Sequence, residues 1–147
     1  SYEYVEVKSP YSGEVVAAIG QADEKAIDMA LEQAKKTFHS VLKSMPAYKR
    51  AEILNNASKL ILENLEDLAK TISLEGGKPI KDARIEVSRA SNTFAIAARE
   101  ALSLDGEQLA MDNLAGNEAR LAMVLREPVV VVAAVTPFNF PLNLVAH

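Results

Sequence analysis

The sequence contains no cysteine, which excludes disulfides, thiolate metal sites and thiol nucleophiles from these 147 residues. Histidine is also scarce, since only His39 and His147 occur and they are far apart in the chain. A histidine-rich metal site is therefore poorly supported, and we predict that no metal is bound.

Long runs of a single chemical character are missing as well. The net charge is −4 and no long basic run occurs, so nucleic acid is not expected as a partner. No stretch approaches the roughly 20 apolar residues that a membrane span requires. A chain of 147 residues fits one ordinary domain. We expect a cytoplasmic protein without a membrane partner.

The most apolar stretch is residues 129–135, in which five of seven residues are valine. Such a run predicts a strand that is buried on both faces, as in a parallel sheet covered by helices. Pro137 should end this strand, and Pro141 suits the first position of a helix over residues 142–147. This order places Asn139 at the carboxyl end of a strand, where open α/β sheets bind their ligands.

The first part of the chain predicts a hairpin followed by helices. Residues 2–7 alternate at period two, residues 9–13 favour a turn with positive φ at Gly13, and residues 14–19 are again extended. Three amphipathic helices should follow: the first capped by Asp23, the second starting near Pro46 and stopped by Gly76-Gly77, the third starting at Lys78-Pro79. The predicted core stripes are Ala26, Ile27, Ala30, Leu31, Ala34 and Phe38; Ile53, Leu54, Ala57, Leu60, Ile61, Leu65, Leu68 and Ile72; and Ile80, Ala83, Val87, Ala90, Phe94, Ala97 and Ala101.

Two further segments are interpreted from local pattern. Residues 75–79 carry two glycines and a lysine, but the P-loop spacing is absent, so they indicate helix punctuation and not a phosphate cradle. After a turn at 104–106 and a weakly patterned stretch, residues 120–126 predict a strand, which Pro128 separates from the valine run.

The segment Arg126-Glu127-Pro128, the valine run and the motif Pro137-Phe138-Asn139-Phe140-Pro141 together resemble the approach to the active site of the aldehyde dehydrogenase superfamily. The resemblance extends over the whole chain, including Ser9-Pro10-Tyr11-Ser12-Gly13-Glu14 and Glu75-Gly76-Gly77-Lys78-Pro79. It implies an α/β fold with an N-terminal hairpin, three helices, an oligomerisation arm, and the first parallel strand and helix of a Rossmann-like cofactor-binding domain. The implied divisions are 1–106 (hairpin and helices), 107–128 (arm) and 129–147 (start of the Rossmann-like core).

The resemblance also implies roles for individual residues. Asn139 would stabilise an oxyanion through its side-chain amide, beside a bound NAD or NADP. The positions implied to flank the nicotinamide are Thr136, Pro137 and Phe138, and those implied to line the aldehyde tunnel are Phe140, Leu144 and His147. In the family, a cysteine attacks the aldehyde and a glutamate activates water for hydrolysis of the thioester. Both lie further along the chain, so we expect an N-terminal fragment that is inactive alone.

Partners follow from the same resemblance. The whole enzyme should be a homodimer or homotetramer that oxidises a small aldehyde. The branch that acts on a phosphorylated aldehyde has an arginine near position 103. Ser103 stands there, which favours lactaldehyde or a semialdehyde.

Several alternatives stay open at this point. Asn139 could be a helix cap in a proline-bounded loop, and Phe140 and Leu144 could be packing residues. The whole chain could be a self-contained helical interaction module without enzymatic activity. The valine run argues against such a module, because it has little use outside a larger parallel sheet.

Overall fold

The structure, a computed structural model, describes residues 3–147, so Tyr2 of the predicted first strand lies outside the described residues. The strands are β1 (Glu3–Lys8), β2 (Val15–Gln21), β3 (Glu107–Ala110) and β4 (Leu121–Val124). The α-helices are α1 (Glu24–Ser40), α2 (Ala47–Glu63), α3 (Leu65–Gly76), α4 (Ile80–Glu100) and α5 (Asn143–Ala146), with a short 3₁₀ turn at Leu42–Ser44. None of these helices is both long enough and apolar enough to cross a membrane.

The predicted N-terminal hairpin is confirmed. Strands β1 and β2 pair antiparallel, with Val5 opposite Ile19. Gly13 takes the expected left-handed conformation at φ 74°, and the Ser9 hydroxyl accepts hydrogen bonds from two backbone N–H groups of the turn. The side-chain hydrogen bonds of the turn are therefore local.

Helix α1 begins where the sequence predicted, because the Asp23 carboxylate accepts the Ala26 N–H at 2.8 Å. Its predicted core stripe is largely wrong. Phe38 is buried, but Ile27 and Leu31 remain 51% and 47% exposed. An amphipathic face is buried only when another element packs on it, and in residues 3–147 little covers this face of α1.

The second predicted helix is divided at Asn64 into α2 and α3. The Asn64 backbone leaves the helical region at φ −104° and ψ 21°, and its side-chain amide donates to the Leu60 carbonyl at 2.8 Å. A side chain that competes for backbone partners in this way favours a break in the helix. The third predicted helix, α4, begins after Pro79 as expected, and Gly77 ends α3 in the left-handed conformation.

The core lies between α3 and α4, around Ala69, Ile72, Ala83 and Val87. Helices α2 and α4 pack through small side chains, and the buried Ser58 and Ser91 hydroxyls bond across this contact at 2.9 Å. The stripe predicted for α4 is therefore largely a core face. On α2, Ile53 and Leu60 are 55% and 56% exposed, and their assignment to the core was wrong.

Strand β4 confirms the strand predicted at 120–126 and pairs antiparallel with β3. The predicted parallel strand at residues 129–135 does not form in this chain, and Val135 is 99% exposed. A strand needs a neighbour for its backbone hydrogen bonds, and residues 3–147 provide no parallel strand beside the valine run. The final helix forms but begins at Asn143, two positions after Pro141.

Candidate active site

The proline-bounded loop at residues 137–141 lies against the junction of α3 and α4. Leu142, directly after the loop, packs on the core cluster and so ties the loop to the helices. A cavity of about 760 Å³ opens between the two. The residues that line it are Phe138, Asn139, Phe140 and Pro141 from the loop, and Ile72, Glu75, Gly76, Lys78, Pro79, Asp82, Ile85, Glu86 and Arg89 from the helical side.

Glu86 is the buried charge at the base of this site. Its side chain is fully buried on the inner face of α4. One carboxylate oxygen forms an ion pair with Lys78. The other accepts the backbone N–H groups of Leu142 and Asn143 at 2.9 and 3.2 Å. A buried carboxylate is tolerated when its oxygens are satisfied in this way.

Lys78 connects Glu86 to the loop. Its ammonium group donates to the backbone carbonyl of Asn139 at 2.7 Å. The same ammonium lies 3.9 Å from the centre of the Phe140 ring, within the range of a cation–π interaction. Lys78 thus contacts two consecutive loop residues and one core carboxylate.

The pKa of Glu86 is set by opposing effects. Burial raises it, whereas the hydrogen bond from Lys78, those from the N–H groups of Leu142 and Asn143, and the Lys78 charge lower it. The net result holds the pKa of this carboxyl below its ordinary value. Glu86 is therefore the charged partner of Lys78 and not a proton donor near neutral pH.

The helix-cap alternative for Asn139 is wrong. Helix α5 has Leu142 at its N-cap and no side-chain cap hydrogen bond. The N–H groups of Leu142 and Asn143, at the start of this helix, donate to the Glu86 carboxylate instead. Among residues 3–147, the side-chain amide of Asn139 makes no hydrogen bond, whereas its backbone carbonyl is held by Lys78. Asn139 thus lines the cavity with an unpartnered side-chain amide and a backbone carbonyl that is held by Lys78.

The other predicted site residues divide into two groups. Phe138 and Phe140 line the cavity beside Asn139. Thr136, Pro137, Leu144 and His147 do not line it. Thr136 and Pro137 are exposed, and the half-buried Leu144 lies on α5. Their implied contacts with cofactor and aldehyde stay predictions.

Sequence reasoning missed Lys78, Glu86 and Arg89. A signal for Glu86 was present, because it lies between Ala83 and Ala90 at helical spacing and so falls on the apolar stripe of α4. A charge at such a position requires a buried partner. For Lys78, helix punctuation accounted for the segment locally, and no local pattern indicated its contact with a loop 61 positions away.

Ser103 is not part of the cavity. It lies beyond the end of α4, where its hydroxyl donates to the Arg99 carbonyl at 3.2 Å. The cationic residue of α4 that does line the cavity is Arg89. No carboxylate in residues 3–147 forms an ion pair with it. The inference from Ser103 against a phosphorylated aldehyde stays a prediction, because Ser103 lies outside this cavity.

Comparison with known proteins gives one family. The sequence pattern described as "Aldehyde dehydrogenase family" matches residues 1–147. The chain is 42% identical over 145 residues to a lactaldehyde dehydrogenase of Methanocaldococcus jannaschii. This match covers 99% of the chain and 30% of that relative. It is 37% identical over 145 residues to a 3-sulfolactaldehyde dehydrogenase of Priestia aryabhattai, again with 99% and 30% covered.

Solved structures show the same relationship. Aldehyde dehydrogenase 21 of Physcomitrella patens, in complex with the reaction product succinate, superimposes with a TM-score of 0.95 at 37% identity. A glyceraldehyde-3-phosphate dehydrogenase of Methanocaldococcus jannaschii, complexed with NADP, gives 0.89 at 40% identity. In each case 99% of this chain and 30% of the other chain are covered. The chain thus spans about a third of the length of the proteins it matches, and its fold is that of their corresponding part.

Proposed function

Because the chain belongs to the aldehyde dehydrogenase family, we propose that it supplies the oxyanion-stabilising side of the active site in an NAD(P)-dependent aldehyde dehydrogenase. The thiolate that attacks the aldehyde must come from outside these 147 residues, because they contain no cysteine. The 147-residue chain alone should therefore be inactive. When bound, NAD or NADP accepts the hydride, and the exposed Phe138 ring beside Asn139 offers an apolar face that suits a nicotinamide.

The observation that carries this proposal is the pattern of contacts made by Asn139. Its carbonyl is held by Lys78 at 2.7 Å, the residue lines the cavity, and its side-chain amide has no partner in the described chain. A donor that is fixed before the reaction costs no reorganisation when negative charge develops on the aldehyde oxygen. Such a donor typically lowers the barrier by about 3 kcal/mol.

For the substrate we propose a small aldehyde, either lactaldehyde or a semialdehyde. Arg89 supports an anionic group at the far end of a semialdehyde, because it lines the cavity without an ion-pair partner among residues 3–147. A relative named for 3-sulfolactaldehyde and a neighbour solved with succinate point in the same direction. Lactaldehyde carries no such charge, so the two substrates are separable by experiment.

Replacing Asn139 by alanine in the whole enzyme tests the proposed role. Turnover should fall about a hundredfold or more, because one donor to the oxyanion is lost. Affinity for the cofactor should change little, since the lost interaction exists mainly with the charged intermediate. Asn139→Asp should be at least as damaging, because a carboxylate repels the oxyanion. Steady-state kinetics measure both changes.

The control for this experiment is Asn55→Ala, which removes an exposed asparagine on α2 and should leave turnover unchanged. Near-normal turnover of Asn139→Ala together with a loss of thermal stability would mean that the asparagine is structural. In that case the oxyanion role must be abandoned.

Replacing Arg89 by methionine tests the substrate class. KM for succinate semialdehyde should rise about tenfold or more, because a hydrogen bond to a charged group is lost. KM for lactaldehyde should stay the same. Arg99→Met, an exposed arginine on the same helix, is the matched control. Equal effects of Arg89→Met on both aldehydes would argue against an anionic substrate.

We also propose a cytoplasmic homodimer or homotetramer that uses the β3–β4 hairpin as an arm. The support is that Leu121 and Met123 on β4 are 67% and 68% exposed, and that the outer edge of β4 is unpaired among residues 3–147. Val124→Lys should weaken the oligomer, as measured by sedimentation of the whole enzyme. An unchanged mass of the oligomer in sedimentation would mean that the hairpin lies within one subunit and is not an arm.

A further inference from the structure

We propose that Lys78 and Glu86 are positioning residues, which hold the Asn139 loop and the start of α5 in the orientation that presents the Asn139 amide to the cavity. This inference rests on the proposed function of Asn139. It adds that the orientation is imposed by an ion pair on the helical core and not by the loop alone.

The first step in the argument is that Glu86 is a fixed point. It is fully buried on α4, next to Val87 of the core cluster, so helix packing determines where its carboxylate lies. Its partners come from elsewhere in the chain. The N–H groups of Leu142 and Asn143 are 56 and 57 positions away, and both bond to the same carboxylate oxygen. Glu86 therefore fixes the residues that follow the loop.

The second step is that Lys78 fixes the loop itself. It follows Gly77, whose left-handed conformation ends α3 and sets the direction of the next residues. Its ammonium is shared between Glu86 and the carbonyl of Asn139, and it stacks on the Phe140 ring. A bonded carbonyl and a packed neighbouring ring together restrict rotation of the peptide between Asn139 and Phe140.

The third step concerns the remaining constraints on the loop. Pro137 and Pro141 restrict the backbone at either end, but Asn139 itself is exposed and its side chain has no partner among the described residues. Without Lys78, no polar contact described for residues 3–147 would hold the Asn139 peptide. Loss of the ion pair should thus reduce turnover through Asn139 and leave substrate affinity nearly unchanged.

A double-mutant cycle in the whole enzyme tests the coupling. Lys78→Met should lower kcat about tenfold with little change in KM, and Glu86→Gln, which keeps the shape and one acceptor, should have a smaller effect. In the Asn139→Ala background, Lys78→Met should lower kcat less than about twofold, since the group it positions is gone. Equal fold-losses in the two backgrounds would overturn the proposal.

Arg84→Met is the matched control for this cycle. Arg84 lies on α4, as Glu86 does, and its guanidinium forms an ion pair with Glu66 of α3 and not with the loop. Its replacement should leave kcat within about twofold in both backgrounds. A loss of kcat as large as that of Lys78→Met would mean that any ion pair on α4 matters, and the specific positioning role would be wrong.

Amide hydrogen exchange supplies a readout that does not depend on activity. Exchange over residues 140–147 should rise about tenfold or more in Lys78→Met and in Glu86→Gln, while α2 stays protected. Unchanged exchange in both variants would overturn the proposal. If exchange rises but the wild-type enzyme oxidises no aldehyde, the proposed function fails while the ion pair still positions the loop.

Discussion

Two regions of this chain treat their apolar residues in opposite ways. Between α3 and α4, Ala69, Ala83 and Val87 are fully buried, and every buried side-chain polar atom in residues 3–147 has a partner. In residues 129–135, Val129 and Val132 are 76% and 74% exposed although their sequence is more apolar than that of either helix.

The difference teaches that hydrophobicity specifies structure only where the covering surface is present. Helices satisfy their own backbone, so α3 and α4 bury their apolar stripes once neighbouring helices and Leu142 pack against them. A parallel strand needs neighbours on both edges and layers on both faces. Hairpins are intermediate, because two strands pair locally and yet leave a face and an edge open.

The largest expected change in stability comes from placing a charge in the helical core, and the same change in the valine run should have little effect. Val87→Asp should lower the free energy of unfolding of the 147-residue chain by about 4 kcal/mol or more, because the carboxylate would be buried without a partner. Val135→Asp should change it by less than about 0.5 kcal/mol, since this side chain is 99% exposed. Urea unfolding followed by circular dichroism measures both.

The same two substitutions extend the comparison between the regions to the whole enzyme. There, Val135→Asp should become destabilising if further strands cover the valine run. Equal costs for the two substitutions in the 147-residue chain would contradict the contrast between the regions.

The next largest effect is a loss of stability at low pH, where the Glu86 carboxylate becomes protonated. The pKa of Glu86 is lowered from its ordinary value of 4.5, so the stability it contributes is fully present above that pH and is lost as pH falls through the folded pKa. Wild type should therefore lose stability below about pH 4.5 more steeply than Glu86→Gln. Because Glu66 and Glu118 titrate in both proteins, the difference between their urea midpoints isolates Glu86. Parallel curves would mean that Glu86 is not held as an ion pair.

A smaller effect is expected at the link between the N-terminal turn and the helices. Gly77 has φ 66°, and a Cβ there would lie 2.9 Å from the Pro10 ring. Gly13 has φ 74° but open space around it. Both alanine variants should cost about 1–2 kcal/mol for the left-handed backbone, with a further loss for Gly77→Ala alone. Equal losses in thermal unfolding would mean that the turn does not pack on the helix junction.

The smallest effect is expected for the exposed ion pair between Arg84 and Glu66. Its side chains are 49% and 53% exposed, and the two hydrogen bonds are 2.8 and 2.9 Å long. Solvent and salt screen such a pair, so Arg84→Met should shift the thermal midpoint by no more than the experimental error. A clear shift would place this surface pair in the same class as Lys78–Glu86.

Local signals specified much of the fold because their physics is local. Asp23 caps α1, Gly13 and Gly77 take positive φ, and the alternation after Glu3 forms a hairpin strand. For the cap and the two glycines, the responsible atoms lie within a few residues of one another, and the hairpin strands are joined by a short turn. The motif around Asn139 also identified the loop that borders the cavity, since two prolines and two aromatic rings restrict it from within.

The sequence by itself determined the start of α1, the end of α3, the start of α4, the turns and the identity of the Asn139 loop, because short-range hydrogen bonds and backbone sterics decide these features. Only the tertiary structure decided that Lys78 and Glu86 belong to that loop, and that Asn139 is not a cap. It also decided that the valine run stays unpaired in residues 3–147. These outcomes depend on groups more than 50 positions apart or on partners beyond one element. A buried charge or a strand edge is satisfied by whatever the fold brings beside it, and no local pattern encodes that neighbour.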